Sequence, residues 1–142
     1  MINGERQTKA AIRWAMVGGG KGSQIGYIHR SAAERDRYFQ LVAGAFDLDA
    51  ARGRAFGVEL GLDPDRCYAD YKAMFAAESA RPDGIRAVSI APPNNTHYEI
   101  SKAALEAGIH VICEKPLTFT TAEALDLQRI AVERNLLVGV TY

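Results

Sequence analysis

The sequence predicts an α/β fold in which a doubly wound parallel sheet is covered by helices on both faces. Two observations carry this prediction. Short apolar runs alternate with longer amphipathic stretches along the chain, and the first apolar run opens into a glycine-rich loop. With 142 residues and no internal repeat or flexible linker, the chain has the length of one ordinary domain. We therefore expect a single domain over residues 1–142.

Six strands are predicted, with helices between them that begin and end at ordinary capping residues. The strands are expected at 12–17, 39–46, 67–69, 85–91, 109–113 and 136–141. The helices are expected at 23–36, 49–60, 70–79, 95–108 and 120–134, the last beginning with a capping box of Thr120 and Glu123. Since parallel strands are joined by right-handed crossovers, two mononucleotide-binding halves favour the strand order 3-2-1-4-5-6.

Composition excludes several classes of protein. The 17 Lys and Arg residues cancel the 17 Asp and Glu residues, which argues against a nucleic-acid partner. No apolar run is long enough to cross a bilayer, and residues 1–11 lack the apolar core of a secretory signal, so we expect a cytoplasmic protein without a membrane partner. Cys67 and Cys113 have no metal-binding spacing, so no metal site is expected.

The glycine loop after the first strand indicates a phosphate site. Backbone N–H groups at the start of a helix attract anions, and glycines allow a pyrophosphate to approach closely. The Gly-x-Gly-x-x-Gly pattern is incomplete, because Ser23 holds the third position, with Gly22 beside it and Gly26 one turn later. The residues expected to contact the pyrophosphate are Gly18, Gly20, Lys21, Gly22 and Ser23.

An acidic residue at the end of the second strand strengthens this interpretation. Asp47 lies 21 residues after Gly26, at the position where a carboxylate binds the adenosine ribose in the Rossmann dinucleotide-binding fold. A carboxylate there favours NAD, although Arg52 and Arg54 follow closely enough to leave NADP open. The alternative is that Asp47 only caps the helix that starts near Asp49. We expect Asp47 and Arg52 to contact the cofactor.

Two polar loops follow the fourth and fifth predicted strands, at residues 92–97 and 114–116. Ligands of open α/β sheets bind at the carboxyl ends of the strands, where the strand order reverses. The second loop follows a buried strand directly with a Glu-Lys pair and a proline, which is not the composition of an ordinary turn. These loops are therefore the second half of the predicted site.

Four motifs in this order resemble the glucose-fructose oxidoreductase, inositol dehydrogenase and MocA (Gfo/Idh/MocA) family. They are Val17-Gly18-Gly19-Gly20, Asp47-Leu48-Asp49, Pro93-Asn94 with His97, and Glu114-Lys115-Pro116. The resemblance implies hydride transfer between NAD(P) and a sugar, cyclitol or related polyol. It places Lys115 beside the nicotinamide and the substrate oxygen as the catalytic residue. The further cofactor-binding residues expected from these loops are Pro92, Asn94, His97 and Glu114.

Elementary chemistry agrees with this role for Lys115. An ammonium group near a developing alkoxide stabilises its negative charge and assists hydride departure. For Glu114, anchoring of the loop is the favoured role. His29 is expected on the face of the first helix, and His110 is expected to pack within the fifth strand.

The resemblance also implies a substrate domain beyond this chain. In the family, the catalytic Asp and His and most substrate contacts follow the sixth strand, whereas this sequence ends at Tyr142. We therefore expect the chain alone to bind cofactor without turnover, and the full-length protein to be a homo-oligomer.

Three other functions share some of these sequence features. Tyr98 and Lys102 have the Tyr-x-x-x-Lys spacing of short-chain dehydrogenases, but they follow the glycine loop too closely for that family. A methyltransferase would leave Glu114-Lys115-Pro116 unexplained. A non-enzymatic dinucleotide-binding or redox-sensing module remains the main alternative, because one fold hosts many functions.

Overall fold

The computed structural model describes residues 10–142 and shows one parallel sheet with helices on both faces. The strands are β1 (Ile12–Gly18), β2 (Phe39–Ala45), β3 (Ala87–Ala91), β4 (His110–Cys113) and β5 (Val138–Val140). The helices are α1 (Gln24–Glu34), α2 (Ala50–Glu59), α3 (Tyr71–Ser79), α4 (His97–Glu106) and α5 (Thr121–Glu133). Short 3-10 turns lie at Pro64–Arg66 and Asn94–Thr96.

The strand order is β2-β1-β3-β4-β5, and all neighbouring pairs are parallel. The predicted fold class and the relative order of these five strands are confirmed. The third of the six predicted strands, at 67–69, is wrong as a strand. Cys67 makes one isolated parallel bridge with Gly44 of β2, and the Tyr68 N–H donates to the Gly44 carbonyl at 2.8 Å.

Two neighbouring signals explain why this segment stops at one bridge. The 3-10 turn Pro64–Arg66 ends immediately before Cys67, and Asp70 already caps α3 by accepting a hydrogen bond from Ala73. Only three residues remain between the turn and the cap, which is too short for a regular ladder. The bridge still lies beside β2, on the side where the predicted order places it.

Alternation along β1 divides the core between the two faces of the sheet. Ala15 and Val17 pack with α3, α4 and α5, while Trp14 and Met16 pack with side chains of α2 on the other face. All four are almost fully buried. Because both faces are covered, the strands are nearly continuous apolar runs, as parallel sheets require.

The capping residues that the sequence indicates are present, and the observed ends of the elements differ from the predicted ones by at most two residues. Thr120 and Glu123 form the predicted capping box of α5, and Ser23 caps α1. No helix within residues 10–142 is long and apolar enough to cross a membrane. The expectation about a signal sequence concerns residues 1–11, of which 1–9 lie outside the described residues.

Candidate cofactor-binding site

A cleft of about 810 Å³ opens at the carboxyl ends of β1, β2 and β3. In the sheet, β2 lies on one side of β1 and β3 lies on the other. The chain therefore changes the direction in which it adds strands at this point, where ligands of open α/β sheets bind. The volume is within the range of small-molecule and cofactor sites, about 300–1,000 Å³. Its polar lining includes Asp47, Asn95, Thr96 and Glu99, and its walls include Leu48, Tyr71, Pro92 and Pro93.

The glycine loop forms one wall of the cleft, and neighbouring backbone atoms leave no space for a side chain at Gly18 and Gly20. Gly18 has a φ of +72°, and a Cβ there would lie 2.7 Å from the Pro92 nitrogen. A Cβ on Gly20 would lie 2.6 Å from the Phe46 carbonyl oxygen. The N–H groups of residues 19–22 donate to no acceptor in the described part of the chain. The loop therefore presents a series of free donors at the start of α1.

Gly26 brings α1 close to the glycine loop. A Cβ at Gly26 would lie only 2.1 Å from the Gly19 carbonyl oxygen, so no other residue fits without movement of the backbone. Ser23 has become the N-cap, with its Oγ accepting from the Gly26 N–H at 3.0 Å. Arg30 also donates to the Gly19 carbonyl at 2.8 Å. The close packing that the third glycine of the usual motif provides is thus supplied three residues later, by Gly26.

Asp47 lies at the mouth of the cleft and is paired with Arg52. The Asp47 Oδ1 accepts from the Arg52 guanidinium at 2.9 Å and from the Asp49 N–H at 2.8 Å. The hydrogen bond from Arg52, followed by that from Asp49, holds the pKa of Asp47 below its ordinary value. The helix cap itself is Asp49, which accepts from the Arg52 N–H. Asp47 is therefore not needed as the cap of α2.

A second hollow of about 450 Å³ adjoins the cleft at Asp47. Gly20, Lys21 and Arg52 line it, and Lys21 pairs with Glu59 at 2.8 Å. The predicted phosphate and ribose contacts are thus divided between two connected spaces. Both cations of the hollow are held by carboxylates of the same chain.

The loop after β3 brings some predicted residues to the cleft and buries another. Pro92 lines the cleft, whereas Asn94 is exposed outside it and its neighbour Asn95 lines it instead. His97 is fully buried. Its Nδ1 lies 2.8 Å from the Pro116 carbonyl oxygen and its Nε2 lies 3.1 Å from that of Pro92. His97 therefore joins the loops after β3 and β4, and its ring is not exposed to a ligand.

Glu114 and Lys115 follow β4, next to these loops. The Glu114 N–H donates to Ile90 of β3, and its carboxylate accepts from Thr141 at 2.6 Å and from His29 at 3.0 Å. Lys115 is exposed, and its ammonium has no hydrogen-bond or ion-pair partner within residues 10–142. The peptide bond from Lys115 to Pro116 is cis. Neither residue lines the cleft itself.

Three contributors to this region are not evident from the sequence. His29, expected on a helix face, is buried, and Ser89 and Thr141 complete its hydrogen-bonded group. The period of α1 places His29 on the side of the sheet, but its partners lie 60 and 85 residues later in the chain. No local pattern could have identified them.

Tyr98 and Lys102 do not line the cleft. The Tyr98 hydroxyl and the Lys102 ammonium both donate to Asp126 of α5, at 2.9 and 2.8 Å. They join two helices, which removes the geometric basis for the short-chain dehydrogenase interpretation. No group of three or more His, Cys, Asp or Glu side chains in the described chain is arranged to hold a metal ion.

Fold and site together define a dinucleotide-binding domain of the oxidoreductase class. The family model of the Gfo/Idh/MocA proteins, described as "Oxidoreductase family, NAD-binding Rossmann fold", matches residues 12–142. The chain belongs to this family and is its NAD-binding domain. The family expected from the four motifs is confirmed.

Several relatives resemble the chain over most of its length. The uncharacterised oxidoreductase YfiI of Bacillus subtilis (strain 168) is 62% identical over 143 aligned residues, which span 100% of this chain and 36% of YfiI. UDP-N-acetylglucosamine 3-dehydrogenase of Acidithiobacillus ferrooxidans is 34% identical over 116 residues, 82% of this chain and 34% of that enzyme. The chain thus spans about a third of the length of these relatives.

A solved structure shows the same fold with cofactor bound. An inositol dehydrogenase homologue from Azotobacter vinelandii, complexed with NAD⁺, is 65% identical and superposes with a TM-score of 0.96. The match covers 100% of this chain and 36% of that one. A second structure of an inositol dehydrogenase homologue from the same organism, complexed with NADH and myo-inositol, is 67% identical with a TM-score of 0.92, covering 93% and 35%.

Proposed function

We propose that the cleft binds NAD along the carboxyl ends of β1, β2 and β3, with its pyrophosphate at residues 18–22. The observation that carries this proposal is the set of free backbone N–H groups in residues 19–22, at the positive end of α1. Lys21 adds a positive charge nearby. The backbone and one lysine supply the donors, so a domain with no net charge can still attract a pyrophosphate.

Asp47 is the proposed partner of the adenosine ribose. It can accept from both ribose hydroxyls, and it would repel the 2′-phosphate of NADP. Arg52 opposes this preference, because its guanidinium lies 2.9 Å from Asp47 and could turn toward a 2′-phosphate. We propose NAD as the preferred cofactor and NADP as a weaker one.

Lys115 is the proposed catalytic residue of the complete protein. When bound, NAD accepts or supplies the hydride, and the ammonium of Lys115 stabilises negative charge on the substrate oxygen. The proposed substrates are sugars, cyclitols or related polyols, in keeping with relatives that are inositol dehydrogenase homologues or a sugar-nucleotide dehydrogenase. Among the other residues of the site, Glu114, His97 and Ser23 support the cofactor site from beneath.

Substrate binding is proposed to need residues outside this chain. The relatives are about three times as long as the matched part, and within residues 10–142 Lys115 has no acidic or histidine side chain paired with its ammonium. We propose that this chain binds cofactor without turnover, and that the complete protein is a cytoplasmic homo-oligomer.

Calorimetric titration of the chain with NAD⁺ and NADP⁺ tests the proposal. We expect saturable binding of NAD⁺ with one site per chain and weaker binding of NADP⁺. Absence of heat with either cofactor at millimolar concentration would refute it. Production of NADH by the chain with a polyol would show that the residues needed for turnover lie within it.

A further inference from the structure

A buried polar cluster lies beneath the Lys115 loop and has no part in the proposed contacts with the cofactor. It consists of His29, Ser89, Glu114 and Thr141, and we call it the Glu114 network. The Nε2 of His29 lies 3.0 Å from Glu114 Oε1, and its Nδ1 lies 3.2 Å from Ser89 Oγ. The Thr141 hydroxyl donates to the same Glu114 oxygen at 2.6 Å. The side chains of His29 and Glu114 are only 6% and 15% exposed.

The Glu114 carboxylate accepts hydrogen bonds from His29, from Thr141 and from the backbone N–H of Lys115. Burial by itself would raise the pKa of Glu114, but the hydrogen bonds from Thr141 and His29, the electrostatic interaction with His29 and the hydrogen bond from the Lys115 N–H together hold the pKa below its ordinary value. No Lys or Arg side chain pairs with Glu114 within the described residues. Because an ionised carboxylate only accepts, His29 Nε2 is the donor of the hydrogen bond to Glu114.

The network joins α1, β3 and the segments that follow β4 and β5. His29 lies on α1, which begins directly after the glycine loop. Glu114 follows β4 and precedes Lys115, and Thr141 follows β5. The helix at the proposed pyrophosphate position and the last strand are thus both hydrogen-bonded to the residue before Lys115.

Lys115 itself is fixed only through its neighbours. Its ammonium has no partner in the described chain, but its backbone N–H lies 3.3 Å from Glu114 Oε2. On the other side, the Pro116 carbonyl lies 2.8 Å from the His97 ring. The position from which the Lys115 side chain extends therefore depends on how firmly Glu114 and Pro116 are held.

We propose that His29 and Thr141 are positioning residues for the nicotinamide end of the site, and that they act by holding the Glu114 carboxylate that fixes Lys115. This inference rests on the proposed binding of NAD. It predicts that loss of either donor weakens contacts at the nicotinamide end more than contacts at the ADP-ribose end.

The test compares two ligands, NAD⁺ and ADP-ribose, by calorimetry. ADP-ribose keeps the pyrophosphate and the adenosine but lacks the nicotinamide ring. The variants are Thr141→Val, which removes the hydroxyl at nearly constant shape, and His29→Leu, which removes both ring nitrogens. Thr141→Ser and His29→Gln keep a donor and serve as rescue variants. Thr121→Val, at an exposed position of α5, is the matched control.

We expect Thr141→Val and His29→Leu to weaken NAD⁺ binding about three- to tenfold, the size of one lost hydrogen bond, with ADP-ribose affinity unchanged. Thr141→Ser, His29→Gln and the control should bind both ligands as the original chain does.

Equal losses for both ligands, or no loss for either, would overturn the inference. If the original chain binds ADP-ribose and NAD⁺ equally well, the inference fails while the cofactor site stands. If it binds neither, the proposed function itself fails. Should His29→Leu not fold, Thr141→Val decides the question.

Discussion

At the carboxyl end of β2, the carboxylate of Asp47 is shared between the helix that follows and the cleft. Arg52 holds it by a hydrogen bond of 2.9 Å, while part of its surface stays open to solvent. A ribose bound here would have to compete with that guanidinium for the same oxygen, or use the other one. If NAD binds as proposed, its affinity should depend on both residues of the pair.

Replacement of Asp47 by Ala should weaken NAD⁺ binding by about 1.5–3 kcal/mol, the range for a hydrogen bond to a charged group. Because the same change removes a repulsive charge and frees Arg52, NADP⁺ should lose less or gain affinity. Titrations with both cofactors measure the ratio. Asp65→Ala, at an exposed site away from the cleft, is the matched control and should leave both affinities unchanged. An unaltered preference in Asp47→Ala would remove Asp47 from the ribose site.

Glu114 should make stability depend on pH. Its pKa in the folded chain lies below the ordinary value of 4.5, so its contribution is complete above that pH and is lost as the pH falls through the lower folded value. We expect Glu114→Gln to be less stable than the original chain at pH 7, with the difference narrowing below pH 4.5. Denaturant unfolding across this range measures it. A difference that stays constant with pH would contradict a stabilised carboxylate.

Residues differ in how far the sequence alone can place them. The places of Asp47 and Lys115 just after strands were predictable, because a local pattern of apolar residues shows where a strand ends. Their roles at the site stay predictions. His97 was found for its motif, but its burial was not, since that depends on Pro116 on another loop. His29 was missed for the same reason, because its partner Glu114 lies 85 residues away.

Among the elements, helix α1 packs against the glycine loop at Gly26, where there is no space for a side chain. Gly26→Ala would place a Cβ 2.1 Å from the Gly19 carbonyl oxygen, and relief requires movement of the glycine loop. We expect a loss of about 1–3 kcal/mol in unfolding free energy and weaker NAD⁺ binding. Gly139→Ala in β5 is the control, since its Cβ would meet nothing closer than 3.9 Å and its φ is ordinary. Equal stability of the two variants would show that α1 does not pack as described.

Helix α5 stabilises the sheet mainly through its inner face. Leu127 is 1% exposed within the core, while Leu125 on the same helix is 58% exposed. Leu127→Ala should therefore lower the unfolding free energy by about 2–5 kcal/mol. Leu125→Ala should change it by less than about 0.5 kcal/mol. Urea unfolding measures both, and similar effects at the two positions would contradict the assigned face.

The pattern of apolar residues predicts most of the elements but not whether a short apolar segment joins the sheet. Strands β1 to β5 and all five helices could be placed from apolar runs and capping residues, including the capping box at Thr120. The segment at Cys67 has strand-like composition too, but whether it joins the ladder depends on the turn before it and the cap after it. Its single bridge to Gly44 is what remains of the predicted third strand.

For the whole molecule, the parallel topology explains why a site exists at all. Loops that are distant in sequence, after β1, β2, β3 and β4, reach the same edge of the sheet because every strand runs in the same direction. The order of the strands and the polarity of the loops were sufficient to predict the edge of the sheet at which the candidate cleft lies. They could not predict that the open volume lies toward Asp47 and Asn95 rather than beside Lys115.

The most direct test of the central claim is an NMR titration of the ¹⁵N-labelled chain with NAD⁺. Binding at the carboxyl edge of the sheet predicts saturable shifts of the amides of residues 18–22, Asp47 and Lys115. Amides on the outer face of α5, such as that of Arg129, should not move. Shifts confined to other surfaces, or no shifts at saturating NAD⁺, would contradict the assignment of this cleft as the cofactor site.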